Sequence, residues 1–476
     1  MSSPINNIPV EVALYERIEK VYPREVKGRF QTLRSLSMYA LLGLFYALPW
    51  IPWGERQAVL FDLPARKFHI FSLTLWPQDF FFLTLLLILA GLSLFFFTAV
   101  AGRVWCGFAC PQTVWTEVFV RMERWVEGSR AKQMKLSKAP WTLDKLRKRI
   151  TKQALWLSFA LFTGLTFVAY FQPAKQLFPA FFNFELAGWA LFWVLFYGFA
   201  TYGNAGFMRE QVCKYMCPYA RFQSAMFDKD TLIVAYDESR GEPRSRGKRR
   251  KNEQIETAKG DCIDCGICVQ VCPTDIDIRD GLQYECIACA ACIDGCDEVM
   301  ERIGLPLGLI KYSTQAQDLG SDKSLQQIFL RPRVIVYGFL LMAVFAGFIS
   351  ALAMRSSFQV DILRDRNALY RWSAVNDIEN SYQVRVMNKS RRDQTYSLSV
   401  MGLDKARADW GRVSEQHQSR SVKAGDIGEF NVIVTLPADA SYQRSQDIEL
   451  HFTEVNGDSP STVVEESRFW GPAKRN

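Results

Sequence analysis

Five stretches of this 476-residue chain contain no Asp, Glu, Lys or Arg. A helix that crosses a lipid bilayer needs about 20 mostly apolar residues, and soluble domains rarely contain so many long uncharged runs. The sequence therefore predicts a multidomain membrane protein with five transmembrane α-helices. The predicted spans are Leu36–Trp53, Phe80–Ala101, Ala154–Phe171, Leu186–Met208 and Val334–Met354.

Basic residues are concentrated in alternate loops of this predicted topology. Six Lys or Arg precede the first span and twelve lie between the second and third, whereas the two intervening loops hold three and one. Cytoplasmic loops carry the excess of Lys and Arg in membrane proteins. The pattern predicts a cytoplasmic N-terminus, and the odd number of spans places the C-terminal region outside.

The twelve cysteines, rather than the histidines, are expected to carry any metal chemistry. The chain has only three His, which argues against a three-His zinc enzyme and against a membrane haem held by paired His. The predicted spans also lack the buried charges that pumps and ion-coupled transporters use. All twelve Cys lie between Cys106 and Cys296.

Eight of these cysteines form two copies of the C-x2-C-x2-C-x3-C motif, 24 residues apart. This spacing is the bacterial ferredoxin signature, in which the fourth cysteine of each motif binds the other cluster. Zinc is the alternative for paired C-x2-C motifs, but the doubled order favours two [4Fe–4S] clusters. Asp297 replaces the proline that usually follows the last cysteine. The predicted ligands are Cys262, Cys265, Cys268 and Cys296 for the first cluster, and Cys286, Cys289, Cys292 and Cys272 for the second.

The other four cysteines form two C-x3-C-P motifs, each beginning five residues after a predicted span. They are Cys106 and Cys110, followed by Pro111, and Cys213 and Cys217, followed by Pro218. If each motif is helical, the i,i+4 spacing places both thiols on one face, and two such pairs offer up to four sulfurs. Soft sulfur ligands favour Cu(I), but these thiols could instead hold another cluster, cycle as a disulfide, or be small buried residues.

The remaining sequence divides into segments of different composition. A basic connector, Arg240–Lys251, is expected to be a solvated linker or to attract anionic lipid headgroups rather than nucleic acid. The external region alternates polar and β-favouring residues and predicts an all-β, immunoglobulin-like sandwich. The predicted domains are an N-terminal cytoplasmic segment (1–35), a four-helix membrane region (36–208), a cytoplasmic loop (209–333) with an α+β ferredoxin-like domain at about 255–305, the fifth span (334–354) and the external domain (355–476).

Taken together, the basic N-terminus, five spans, two C-x3-C-P motifs, two-cluster ferredoxin motifs and external β-domain resemble the CcoG family, also called FixG or RdxA. The resemblance covers essentially the whole chain. It implies a bacterial inner-membrane protein, with a periplasmic C-terminal domain, that assists assembly of cbb3-type cytochrome oxidase. It further implies reduction of Cu(II) to Cu(I), with copper as substrate or transient ligand of Cys106, Cys110, Cys213 and Cys217.

The expected partners are a cytoplasmic electron donor, oxidase subunits or copper chaperones, membrane lipid and another copy of the chain. Two further functions stay open at this point. The protein could be the electron-transfer subunit of a quinol-linked respiratory reductase, although the scarcity of His and the external domain argue against it. It could also be a non-enzymatic scaffold that binds oxidase subunits.

Overall fold

The computed structural model describes residues 20–244, 260–318, 329–365, 368–390, 392–411, 419–456 and 461–472. The chain forms two compact units, Met1–Phe345 and Ala346–Asn476. Three parts of the predicted organisation lie outside the described residues. They are most of the N-terminal segment, residues 245–251 of the basic connector and the first residues of the predicted ferredoxin domain.

The first unit is mainly helical, and its last helix extends across the division between the units. A 3₁₀ turn, Leu48–Trp50, follows the first helix, and two π-helical segments, Tyr202–Met208 and Val212–Met216, follow the eighth. The helices are α1 Arg29–Ala47, α2 Phe80–Ala101, α3 Val104–Phe108, α4 Pro111–Glu127, α5 Arg130–Lys138, α6 Leu143–Val168, α7 Ala174–Phe182, α8 Gly188–Thr201, α9 Pro218–Ala225, α10 Glu238–Gly241, α11 Ile267–Val271, α12 Ala291–Ile303, α13 Gln315–Asp318 and α14 Pro332–Ala353.

Two of the five predicted spans have the length and composition of a membrane helix. Within the described residues these are Pro77–Ala101, which contains α2, and α14. The helices at the first and third predicted spans have different bounds from those predicted, because the basic residues before each apolar run are also helical. Helix α1 begins seven residues before the predicted first span, and α6 begins eleven residues before the predicted third span. The fourth run is α-helical only to Thr201, where it becomes a π-helix. The five-span topology stays a prediction.

Short strands that the sequence did not indicate connect the helices. The loop between α1 and α2 forms a two-stranded and a three-stranded antiparallel sheet, and β6 pairs with β7 across the cysteine-rich segment. The last pair closes the ferredoxin-like domain, since its strands precede and follow both cysteine motifs. The strands are β1 Pro52–Trp53, β2 Arg56–Gln57, β3 Val59–Asp62, β4 Lys67–Ile70, β5 Leu73–Leu75, β6 Leu232–Tyr236 and β7 Ile310–Thr314.

The N-terminus of α1 is attached to the cysteine-rich domain through one carboxylate. Asp294, in α12, accepts hydrogen bonds from the backbone amides of Phe30 (3.2 Å) and Gln31 (2.7 Å). These amides belong to the first turn of α1, whose N–H groups have no partner within the helix. Asp294 therefore does for α1 what an N-cap residue does, but from a distant part of the chain. The carboxylate also suits the positive end of the helix dipole.

The second unit confirms the predicted all-β, immunoglobulin-like architecture. One antiparallel sheet has the order β12-β14-β10-β8, with β9 also on β10, and the other has the order β13-β11-β15-β16. Both sheets contribute to one apolar core, which includes Phe358, Val384, Tyr396 and Phe452. The strands are β8 Phe358–Arg364, β9 Arg371–Trp372, β10 Ile378–Asn388, β11 Gln394–Met401, β12 Arg407–Asp409, β13 Ser419–Val422, β14 Ile427–Leu436, β15 Ser445–Glu454 and β16 Thr462–Trp470.

Removal of the Asp294 carboxylate should loosen the start of α1. In the Asp294→Ala variant we expect the amides of Phe30 and Gln31 to exchange hydrogen about five-fold faster, because losing a helix cap costs about 1 kcal/mol. Hydrogen–deuterium exchange on the full chain measures this. The control is Asp280→Ala, which removes an exposed carboxylate from the same domain. Equal exchange in the two variants would show that Asp294 does not hold α1.

Candidate iron–sulfur centres and the C-x3-C-P thiols

The two ferredoxin-type motifs fold as a structural repeat with the same 24-residue offset as their cysteines. Helices α11 and α12 begin at Ile267 and Ala291. Just before them, Asp264 and Gly266 have positive φ in the first motif, and Ala288 and Ala290 have positive φ in the second. Left-handed residues turn successive backbone N–H groups toward one point, which creates a concave anion site of the kind found at iron–sulfur clusters. Ala is rare in this conformation, so the repeated geometry has a functional reason.

The first group of thiols surrounds the start of α11 and one face of α12. Burial, together with the charges of Cys268, Asp297, Cys265 and Cys262, raises the pKa of Cys296 to about 12. Cys296 therefore lies among the three cysteines of the first motif, as its predicted ligand role requires. Among these thiols only Cys265 is exposed.

The second group of thiols lines a small cavity in the interior of the domain. Cys272, at the end of the first motif, lies there with the three close cysteines of the second motif. The thiols of Cys289 and Cys292 are buried, and burial raises both pKa values, with the charge of Cys272 adding to the effect. Apolar side chains complete the wall. Cys268 of the first motif also lines this cavity, and the assignment of each cysteine to one cluster stays a prediction.

These two groups fit iron–sulfur clusters by donor type and by shape. Eight thiols, apolar walls and inward-turned amides are what two [4Fe–4S] clusters need. Among the described residues, no three Cys, His, Asp or Glu side chains converge closely enough to bind one metal ion. The substituted Asp297 has a structural role, because it accepts a hydrogen bond from the Gly308 amide (2.9 Å).

The C-x3-C-P motifs are not the continuous helices that the sequence analysis assumed. Cys106 lies in α3, but Cys110 is extended (φ −60°, ψ 129°) and precedes α4. Cys213 lies in a π-helix, and Cys217 is extended (φ −79°, ψ 109°) before α9. The prediction that each pair shares one helix face is therefore wrong. The reason is the proline: it disfavours the helical conformation of the preceding residue and itself starts the next helix.

The four C-x3-C-P thiols nevertheless lie near enough to influence one another, although no three of them converge on one metal position, and they are called here the thiol tetrad: Cys106, Cys110, Cys213 and Cys217. Burial raises the pKa of Cys106 to about 12, with added effects from the charges of the other three. Burial, together with the charges of Cys110 and Cys217, likewise raises the pKa of Cys213 to about 11. The duplicated motif thus brings its two copies together.

Two polar residues that the sequence analysis missed surround the tetrad. Arg103 is 4% exposed, and its guanidinium donates to the carbonyls of Tyr284 and Ala220. Burial lowers the pKa of Arg103, and the charges of Cys106, Cys286, Cys213 and Cys217 oppose that change. Its charge therefore lies between the tetrad and the second cluster motif. In the sequence, the position of Arg103 three residues before the first C-x3-C-P motif could have indicated this role.

The second missed residue is Gln223, a fully buried side chain of α9. The thiol of Cys106 donates to its Oε1 (3.2 Å), and its Nε2 donates to the hydroxyl of Tyr219 (2.8 Å). Hydrogen bonds of this kind orient metal ligands and adjust their electronic properties.

The tetrad touches the second cluster motif through the backbone at Gly107. A Cβ atom at this position would lie 2.7 Å from the Ile287 carbonyl oxygen and 2.8 Å from the Cys289 Cα. Only glycine permits such an approach. Cys106 itself packs against the apolar group that contains Ile287 and Cys289. The structure therefore connects the tetrad directly to the second cluster motif.

Sequence comparisons now place these features in a family. The nitrogen fixation protein FixG of Rhizobium meliloti is 37% identical over 470 residues, covering 91% of this chain and 89% of its own. The chain belongs to the FixG family. RdxB and RdxA of Cereibacter sphaeroides are 44% and 41% identical, each covering 82% of this chain and 83% and 84% of their own.

Family profiles match the separate domains of this FixG-family chain. Residues 208–315 match a 4Fe-4S dicluster domain, and residues 348–472 match the Ig-like fold at the C-terminus of FixG. A 4Fe-4S binding domain matches residues 81–130, which include Cys106 and Cys110. The protein is thus an iron–sulfur electron-transfer protein with a 4Fe-4S dicluster domain and an immunoglobulin-like C-terminal region.

The crossed ligand pattern can be tested by removing cysteines in pairs. Cys272→Ala with Cys286→Ala should remove one cluster and leave about four of eight irons, because both thiols belong to the second cluster. Cys262→Ala with Cys272→Ala should remove both clusters. Iron and acid-labile sulfide, measured after anaerobic purification, distinguish the variants. The reverse ranking of iron content would contradict the assignment.

Proposed function

We propose that this protein is a membrane-bound cupric reductase that supplies Cu(I) for assembly of a cbb3-type cytochrome oxidase. The observation that carries the proposal is the thiol tetrad in backbone contact, through Gly107, with a cluster-binding motif. The clusters, when bound, supply one-electron transfer. The tetrad supplies soft sulfur ligands, which stabilise Cu(I) over Cu(II).

In this proposal the substrate copper is reduced on the tetrad itself. Each Cu(II) takes one electron and becomes Cu(I), and each thiol that binds it releases its proton. In the metal-free protein, burial keeps the thiols of Cys106 and Cys213 protonated, since it raises both pKa values. The positive charge of Arg103 lies close enough to stabilise the thiolates that form. Gln223 orients Cys106 through its hydrogen bond.

The membrane assignment is part of the same proposal. The exposed sides of α2 and α14 carry large apolar residues, among them Phe80, Leu87, Phe339 and Met342. Apolar surfaces of this extent need to be covered, and a bilayer would cover them. We propose the bacterial inner membrane, with the ferredoxin-like domain cytoplasmic and the C-terminal domain periplasmic. A cytoplasmic donor would then reduce the clusters, and oxidase subunits or copper chaperones would receive the copper.

The central test removes half of the tetrad. Cys106→Ser with Cys110→Ser should abolish reduction of Cu(II), measured with a Cu(I)-specific chelator, and should leave about eight irons per chain, because the ferredoxin-type thiols are intact. Cys213→Ser with Cys217→Ser should behave alike. Undiminished copper reduction would contradict the proposal, and so would a loss of four irons, which would show that the tetrad holds a third cluster. Quinol oxidation by the wild-type protein would favour a respiratory reductase subunit.

A second test addresses the contact between the tetrad and the second cluster motif. In Gly107→Ala the added methyl group pushes the two backbones apart, so electron transfer across the contact should slow several-fold. Stopped-flow absorbance, after mixing reduced protein with Cu(II), follows the reoxidation of the clusters. Gly43→Ala is the matched control, because a Cβ at Gly43 meets no atom within 4 Å. An equal rate in the two variants would rule out this electron path.

A further inference from the structure

A second site lies beside the tetrad, in a cavity of about 310 Å³ between α6 and the segment Gly206–Gln211. Its wall includes the ring of Trp156, which is 2% exposed. The Nζ of Lys152 and the guanidinium of Arg209 lie 4.9 Å and 5.4 Å from the centre of that ring. The lining is strongly basic, and its cations are Lys20, Arg149, Lys152 and Arg209.

Among the described residues, these four cations pair with two buried carboxylates. Glu123 pairs with Lys20, with Lys152 (3.2 Å) and with Arg209 (2.7 Å). Glu127 pairs with Lys152 (2.8 Å) and Arg149 (3.2 Å). The carboxylates lie behind the cations and do not line the cavity, whereas all four cations do. Counting the described residues alone, the group has a surplus of two positive charges, which Glu210 in the lining reduces to one.

The carboxylate of Glu123 has no further capacity to neutralise this group. Burial opposes ionisation of Glu123, but Arg209 and Lys20 outweigh it and lower its pKa to about 2. Burial also lowers the pKa of Lys20, and the charges of Arg209 and Lys152 add to that effect. The two buried cations, Lys152 and Arg209, match the two buried carboxylates, so the surplus lies on Lys20 and Arg149, whose side chains are partly exposed and line the cavity. A ligand that bridges these two cations is therefore an anion.

The lining also contains an unused hydrogen-bond acceptor. Gln211 donates from Nε2 to Glu210 (3.2 Å), and its Oε1 is buried without a hydrogen-bond partner among the described residues. An acceptor in this position fits a ligand that carries a hydroxyl group as well as negative charge.

We propose that this cavity binds a phosphate group that carries a hydroxyl, from a glycerol-phosphate lipid headgroup or from free inorganic phosphate. Phosphate is the anion that clustered Arg and Lys bind most effectively, and basic pockets between membrane helices on the cytoplasmic side bind anionic headgroups. This site is separate from the tetrad, and the proposal does not depend on copper reduction. It does bear on the tetrad, since the segment that lines the cavity ends at Gln211, two residues before Cys213.

The test uses the delipidated full-length protein in a neutral detergent, with its clusters loaded. Calorimetry measures binding of dihexanoyl-phosphatidylglycerol, dihexanoyl-phosphatidylcholine and inorganic phosphate at constant ionic strength. In Arg149→Gln we expect binding roughly ten-fold weaker, the effect of losing one charge-assisted hydrogen bond. Lys152 remains to pair with Glu127 in that variant. Arg147→Gln is the matched control, because it removes the same charge from an exposed position of the same helix.

The outcomes separate the two sources of phosphate. Saturable binding of the phosphatidylglycerol alone, weakened in Arg149→Gln and retained in Arg147→Gln and Arg149→Lys, supports a lipid headgroup. The same pattern with inorganic phosphate supports a free anion. Equal binding of phosphatidylcholine, equal weakening in both Gln variants, or no saturable binding would overturn the proposal. Unchanged iron content in Arg149→Gln shows that the variant has folded.

Discussion

The close backbone approach at Gly107 is the constraint on which the functional arrangement depends. Helix α3 carries Cys106, and the loop before α12 carries Cys289, so a side chain at Gly107 would separate two groups of thiols. Arg103 spans the same junction, because its guanidinium donates to carbonyls on both sides. The ferredoxin-like domain is therefore not an independent module attached by a linker. It packs on the C-x3-C-P segment so that the second cluster motif faces the tetrad.

The cysteine spacing predicted more of the site than any other signal. The 24-residue repeat predicted both thiol groups and their crossed pattern, because motif spacing reflects the local geometry of a cluster-binding loop. The tetrad was predicted as a group of four sulfurs, but the helical geometry assumed for each pair was wrong. Pro111 and Pro218 were in view in the sequence, and their restriction on the preceding cysteine is the physical signal that was overlooked.

The residues that sequence analysis missed act through contacts distant in the chain. Asp294 is one of many acidic residues in α12 and its surroundings, and nothing local indicates that it caps α1. Gln223 likewise becomes informative only when the fold brings it to Cys106, whereas Arg103 lies three residues before that cysteine in the sequence. The apolar runs, in contrast, can be recognised from the sequence alone. They mark where helices occur, but the helix bounds depend on the polar residues that continue each helix, as at the start of α6.

The basic residues of the first unit show that one sequence signal can serve two physical purposes. Lys and Arg between the second and third apolar runs predict orientation through their number alone. In the structure, Arg149 and Lys152 are not free loop charges, because both pair with Glu127 at the wall of a cavity, and Lys152 also lies over the ring of Trp156. Charges held in this way need a partner of opposite sign, which a count of basic residues does not reveal. The excess of Lys and Arg in cytoplasmic loops and the need of buried charges for a partner therefore concern the same residues. The need for a partner is the basis of the proposed anion site.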